Sequence, residues 1–401
     1  MKEDDTSITD ICALAIYALI NALFVYKYTA RITSQPVATT LLYLILVSLF
    51  ILLLFKQTEI RLSLKTQNLI YFSMIGLLAI LFTFLMFQFD PEKIRVGRYP
   101  AMHDWITRFF DSEFPYAAPT NPSGFPFLFV MAMPFYFLGD LGFFQIFSFL
   151  TFATLVHLRH NQESIDRFRC ILLLVTSPIF LYEIVVRSEL ISNMVIVMVY
   201  LAVIEMIGRK TSGFALILLG IIGGLLLSTR GIVLLIYIPV FGYFLRRQII
   251  RCGLFFLSMF VGFLLSLAPF LIWDWRHFIS FGPFSIQLSH IPNWLLILSI
   301  AASVYCALTI RSLKRIYSSV SFILFGIICV AFMITVFDYG WYETVLRDGF
   351  DISYFCFALP FLIISLDFSE KRTMSADGVF AFHTGGNGTQ PNPPKAALDR
   401  A

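Results

Sequence analysis

Apolar runs of about 16 to 23 residues follow one another along most of this chain, each long enough or nearly so to cross a hydrocarbon core of roughly 30 Å as a helix. They fall near 10 to 28, 37 to 56, 69 to 88, 124 to 140, 141 to 159, 169 to 184, 187 to 208, 213 to 228, 231 to 247, 251 to 272, 294 to 312, 318 to 338 and 352 to 368. The alternating segments of a membrane barrel are not seen. The pattern predicts an all-α polytopic membrane protein with about 12 to 13 transmembrane helices. Residues 1–368 read as a single transmembrane helical domain.

One interruption is unlike the others. Phe89 to Gly124 reads FDPEKIRVGRYPAMHDWITRFFDSEFPYAAPTNPSG, gathering Asp90, Glu92, Arg95, Arg98, His103, Asp104, Arg108, Asp111 and Glu113 among tyrosines and prolines. Most other connections are short basic turns. Residues 89–124 are therefore the first place to look for chemistry.

Composition supports the class. The chain has 58% hydrophobic and 13% charged residues, with 45 Phe and a mean hydropathy of +0.82, whereas soluble domains carry roughly 25% charged residues. The net charge of +4 is accounted for by the basic turns, and nothing points to nucleic acid. Cys12, Cys170, Cys252, Cys306, Cys329 and Cys356 lie within or at the edges of the apolar runs without metal-type spacing, so they read as small apolar residues. The amino terminus, MKEDDTSITD, lacks a basic n-region and a cleavage site, and the first span is expected to be retained.

Orientation follows from Lys and Arg, which cytoplasmic loops retain. Basic turns at Lys56, Arg61 and Lys65, at Arg159, Arg167 and Arg169, at Arg209 and Lys210, at Arg246, Arg247 and Arg251, at Arg311, Lys314 and Arg315, and at Lys371 and Arg372 are placed in the cytoplasm. The alternate connections then lie outside. If 124 to 140 and 141 to 159 both crossed, the long polar loop would sit on the wrong side. Reading 124 to 159 as one broken crossing with a re-entrant or juxtamembrane first half restores parity, and prolines 122, 126 and 134 suit such an element.

On this scheme three outer segments share one face. They are the long loop, the segment WDWRHFISFGPFSIQLSHIPN with Asp274, Arg276, His277 and His290, and FDYGWYETVLRDGFD with Asp338, Tyr342, Glu343, Arg347 and Asp348. Glu183, Arg187 and Glu189 in LYEIVVRSELISN and Arg230 in STRG join them. Ionisable residues at span ends mark function or, alternatively, interfacial anchoring by snorkelling Arg and by Trp and Tyr. Carboxylates that take a proton from a hydroxyl, guanidiniums that hold a phosphate and aromatic faces against which a sugar stacks suit glycosyl transfer from a lipid phosphate. Phosphate-loop, zinc-protease and nucleophile-elbow motifs are absent.

The run RYPAMHDW, then FPYAAP, then PSGFPFLFVMAMPFYFLGDLG resembles the first outer loop and following proline-bearing helix of the GT-C superfamily of integral membrane glycosyltransferases. The resemblance covers about residues 89 to 160. It implies a polyprenyl-phosphate sugar donor, a lipid or glycan acceptor, and an active site on the non-cytoplasmic side of the membrane, here expected to be the bacterial inner membrane. The family's loop carboxylate matches Asp90 by its place just after a span, then Asp104 in the Tyr-containing helix. Arg98, Tyr99, His103, Arg187, Glu189, Arg230, Tyr342 and Arg347 are the substrate-binding candidates. The loop follows the third span here, not the first, and no Asp-x-Asp pair occurs, which leaves a divalent cation open. A transporter or lipid flippase, and a lipid-linked polysaccharide polymerase, are the competing readings. Residues 369–401, rich in Gly, Pro and small polar residues, are expected to form a disordered cytoplasmic tail.

Overall fold

A computed structural model describes residues 4–55, 63–94, 98–160, 165–207, 212–245, 249–288, 291–310 and 312–366. The expected tail at 369–401 lies outside the described residues, as do Arg95, His290 and several of the basic turns used for orientation, among them Arg209, Arg246 and Arg311.

No strand occurs among the described residues. The chain begins with α1 (Asp4–Thr29), α2 (Pro36–Phe55) and α3 (Leu64–Phe87). The polar loop folds into the single turn α4 (Pro91–Ile94), the amphipathic α5 (Tyr99–Phe110) and a 3-10 turn at Pro115–Ala117. Then come α6 (Pro126–Phe137), α7 (Phe143–Arg159), α8 (Asp166–Val175), α9 (Pro178–Val185), α10 (Leu190–Ile207), α11 (Gly213–Leu227) and α12 (Val233–Leu245). The remainder is α13 (Ile249–Phe281), α14 (Pro283–Leu288), α15 (Asn293–Thr309), α16 (Leu313–Trp341), a 3-10 stretch at Ile352–Ala358 and α17 (Leu359–Ser365).

Six of these helices are long and apolar enough to cross a membrane, or up to seven with the bent pair α8 and α9 taken as one. The chain is a multi-pass membrane protein. Six further apolar stretches, at 126–137, 143–159, 213–227, 233–244, 293–309 and 352–365, are shorter. The bend of 61° between α8 and α9 sits before Pro178, where the residue preceding a proline leaves the helical region. Carbonyls freed there cannot be left bare in an apolar medium. Tyr17 donates to the Leu173 carbonyl at 2.7 Å, and Ser177 donates to Asn21 at 2.6 Å, so buried polar groups of α1 repair the break.

The chain ends of these helices sort into two groups. At one end, α3 starts beside the end of α7, where Tyr71 stacks on His157 and bonds the Ala153 carbonyl. At the other, Lys27 at the end of α1 meets Asp348 beyond α16, and Arg187 between α9 and α10 bonds the last carbonyls of α3. Arg230, after α11, pairs with Glu189 before α10.

Helix α6 starts and finishes at this second end. The Phe125 and Phe127 amides donate to Thr229 and Ser228, and Asp140, just after α6, is bound by Arg187. A 12-residue helix spans about 18 Å and lies here beside α5 instead of traversing the bundle.

A second, smaller core holds the polar loop against α6 and α13. Trp105 is fully buried, stacked on Phe129 at 4.4 Å and on Phe109 at 5.5 Å between ring centroids. Met102, Ile106, Tyr116, Phe270 and Phe278 complete it. The loop is a packed unit because its apolar positions, 102, 105, 106 and 109, recur at helical spacing on one face.

Candidate functional site

The charged end of the bundle encloses a cavity of about 380 Å³, within the range of small-ligand sites. Lys27 and Tyr28 of α1, Arg98, Ala101 and Met102, the 120–124 segment, Tyr182, Glu189, Arg230, and Asp348, Asp351 and Ser353 form its wall.

Its centre is a chain of charged groups built around one hydroxyl. Arg98 donates to Asp351 at 2.6 Å and to Ser123 Oγ at 3.2 Å. Arg230 donates to the same Ser123 oxygen at 3.0 Å and to Glu189. Two guanidiniums thus converge on a single oxygen, with a carboxylate at each outer end. Arg98 Nε, Arg230 Nε and Glu189 Oε2 are buried and have no partner. Native interiors contain few such atoms, and each asks for an occupant.

Local structure sets Ser123 in place. The Tyr116 hydroxyl donates to the Gly124 carbonyl at 2.9 Å, and Gln287 donates to the Ser123 carbonyl at 2.6 Å while accepting from the Gly231 amide. A Cβ at Gly124 would come within 2.5 Å of Leu128 Cδ2, so a larger residue here would have to push the Leu128 side chain aside where the loop passes α6. Asp351 begins the final helical segment and accepts from the amide and hydroxyl of Ser353. Burial works against its charge, but Arg98, the Ser353 bonds and Lys27 outweigh burial and hold the carboxyl below the ordinary range. Burial likewise opposes the charge on Arg98, and Tyr354, Asp351 and Glu189 overcome it. The Arg98 guanidinium also lies over the Tyr354 ring at 4.8 Å. Tyr28 and Tyr182, 4.8 Å between centroids, give the cavity an aromatic wall.

Of the residues singled out in the sequence, the structure brings Arg98, Glu189, Arg230 and Asp348 into this cavity. Asp104 stands one residue back from the wall, accepting from Thr120 at 2.8 Å. The other candidates are not brought to it. Asp90, the first choice for catalysis, has a side chain 45% exposed and is paired with Lys93, because the chain turns outward at the end of α3. Arg187 is buried but fully occupied: it grips Asp140 at 2.8 and 3.0 Å and the carbonyls of Phe89 and Met86 at 3.0 and 3.1 Å. It caps α3 from a left-handed backbone conformation (φ 52°). His103 stacks between Tyr99 and Tyr136. Tyr342 and Arg347 are exposed and stack on one another.

Lys27, Tyr28, Ser123, Tyr182 and Asp351 were not singled out by the sequence. Lys27 carried a usable signal, since it and Arg31 are basic residues at the end of α1 that the charge distribution of the sequence assigns to the outside, against the positive-inside bias. Both pair with Asp348, Lys27 at 2.6 Å and Arg31 at 2.9 Å. Asp351, an acid opening an apolar segment, was another. Ser123 carried none.

No cluster of three or more His, Cys, Asp or Glu side chains suited to a metal ion occurs among the described residues. No protein-family model matches the chain, and neither a curated protein nor a solved structure is significantly similar to it.

Proposed function

We propose that this protein is a membrane glycosyltransferase that moves a sugar from a polyprenyl-phosphate donor to a lipid or glycan acceptor. The observation that carries the reading is the convergence of Arg98 and Arg230 on Ser123 Oγ, with a free Nε on each guanidinium. A phosphate oxygen can take the place of the serine oxygen between them and satisfy the free donors.

Charge supports a particular class of donor. Lys27, Arg98 and Arg230 on the wall are matched by Glu189, Asp348 and Asp351, so the lining is electrically balanced. A ligand of several negative charges would be left uncompensated there, whereas a polyprenyl-phosphate sugar is a phosphodiester with one. The aromatic wall of Tyr28 and Tyr182 offers a face for the sugar. In the transfer, the acceptor oxygen bonds to the anomeric carbon, the bond from that carbon to the phosphate oxygen breaks, and polyprenyl phosphate leaves. The acceptor proton passes to a carboxylate. Glu189 is assigned that role in place of Asp90, because its Oε2 has no protein partner. The two arginines stabilise the charge growing on the phosphate.

In this reading the shorter apolar helices other than α6 cross as well, giving about twelve crossings with the amino terminus inside. The cavity then opens on the non-cytoplasmic side of the bacterial inner membrane.

The test is incubation of the reconstituted protein with radiolabelled polyprenyl-phosphate sugars and a membrane lipid extract. Label should enter a new glycoside and fail to do so in Glu189→Gln and Arg230→Met. Label that crosses the bilayer unchanged would overturn the proposal in favour of transport.

A further inference from the structure

Helix α6 carries an apolar face that nothing among the described residues covers. Its sequence, PFLFVMAMPFYF, has no charged residue. Leu128, Phe129 and Ala132 are buried on one side of it. Val130, Pro134, Phe137 and Leu138 are exposed, and their spacing sets them together on the opposite side. Phe137 is 68% and Leu138 67% exposed. Phe110, the exposed last residue of α5, lies against Phe137 with 5.1 Å between ring centroids and extends the stripe.

The stripe is continuous with surface that faces lipid. Helix α3 is long and apolar enough to cross the membrane, and Phe84 and Phe87 are exposed in its last turn. Phe87 lies against Phe143, the first residue of α7, at 6.1 Å. From α6, Phe135 stacks on Phe144 at 5.2 Å and meets Phe147, a turn further along α7 and itself exposed, at 5.6 Å. The end of α6 is thus level with the last turn of α3 and the first turns of α7. Polar residues begin just beyond: Asp90 after α3, and Asp111, Ser112 and Glu113 after Phe110, are all exposed. Surfaces that meet water seldom carry a contiguous apolar stripe of this kind. A helix with one bare apolar face and charged neighbours suits the boundary between acyl chains and headgroups.

We propose that this stripe is a lipid-binding surface: Phe110, Val130, Pro134, Phe137 and Leu138 sit in the acyl chains of the leaflet at the charged end of the bundle, with Asp111 and Glu113 among its headgroups. Helix α6 then has lipid on one face, while Leu128 and Phe129 on the other line the cavity. That places the cavity at the depth of the membrane surface, not in water above it. The inference rests on exposed side chains and does not depend on glycosyl transfer.

The experiment reconstitutes the full chain in phosphatidylcholine vesicles with benzoylphenylalanine in place of Phe137 or Leu138, one position per preparation, and identifies photo-adducts by mass. Both positions are exposed and the replacement is apolar, so neither variant disturbs the core. Phe84 on α3 serves as the lipid-facing reference and Glu113 as the reference beyond the stripe. Acyl-chain adducts should form at Phe137 and Leu138 in yield comparable to that at Phe84, and should be lost at Glu113. Absence of lipid adducts at Phe137 and Leu138, with adducts at Phe84, overturns the proposal. A covalent dimer at either position also overturns it and assigns the stripe to a second copy of this chain. No readout involves turnover, so failure here is distinct from failure of the transferase reading.

Discussion

Removal of Arg230 tests the charged chain most directly. The residue is 3% exposed and Glu189 is 0% exposed, so Arg230→Met strands a buried carboxylate. Breaking one side of a buried ion pair costs about 3 to 5 kcal/mol. Glu189→Gln strands the opposite charge, but Arg230 keeps its bond to Ser123, and the cost should be nearer to 2 to 3 kcal/mol, roughly that of one charged hydrogen bond. In the double variant neither charge remains. Its destabilisation should fall short of the sum of the singles by about 2 kcal/mol or more, within the usual range for residues in contact. The assay is chemical unfolding of all four proteins in detergent, followed by tryptophan fluorescence, alongside titration with a polyprenyl phosphate. Binding should be lost in both variants that lack Arg230, whatever their stability. Single effects that add to within about 0.5 kcal/mol would show that the pair is not coupled, and the argument from the charged chain would fail.

Asp90→Asn should leave turnover within about threefold of wild type, against the hundredfold or greater loss expected of a general base; a comparable loss in a transfer assay would return Asp90 to the site. Trp105→Ala should cost about 3 to 5 kcal/mol and weaken donor binding with it, because the stack on Phe129 and Phe109 supports the helix that presents Arg98; unfolding and binding read on the same preparation check this. The depressed carboxyl of Asp351 contributes stability above the unfolded value near pH 3.9 and loses it as pH falls through the folded value. The thermal midpoint should therefore hold from pH 7 to about 5 and drop below about 4. Asp351→Asn should flatten that acid limb, and an unchanged limb in the variant would show that another group controls it.

The membrane helices were legible because apolar length is a local property: most runs read from the sequence coincide with a helical segment to within a few residues, although 169 to 184 is split into α8 and α9 and α13 continues to Phe281, well past the run that ends at 272. The site was legible in part. Arg98, Glu189 and Arg230 stood out as charges at the ends of apolar runs, and that rule needs no knowledge of the fold. Asp90 satisfied the same rule but lies outside the cavity, because a position just after a helix does not say whether the chain turns inward or out. Ser123 was invisible. Its importance comes from two guanidiniums that are 25 and 107 residues away along the chain, a coincidence only tertiary packing creates.

Arg187 and Arg230 show what sequence inspection lacks most. Both follow an apolar helix, both are almost wholly buried, and both pair with a carboxylate. A reading of charges in membrane surroundings ranks them alike. They separate only when each donor is followed to its acceptor. Arg187 exhausts its guanidinium on Asp140 and three backbone carbonyls, which makes it a fastening between α3, α6 and α9. Arg230 shares a serine oxygen with a second arginine and keeps a donor in reserve beside an open cavity. Evolution tolerates an unsatisfied buried donor where something else completes it. Under the proposed function, what separates Arg230 from Arg187 is unspent hydrogen-bonding capacity, and substitution of Arg187 should lower stability without a separate effect on donor binding by the chains that remain folded.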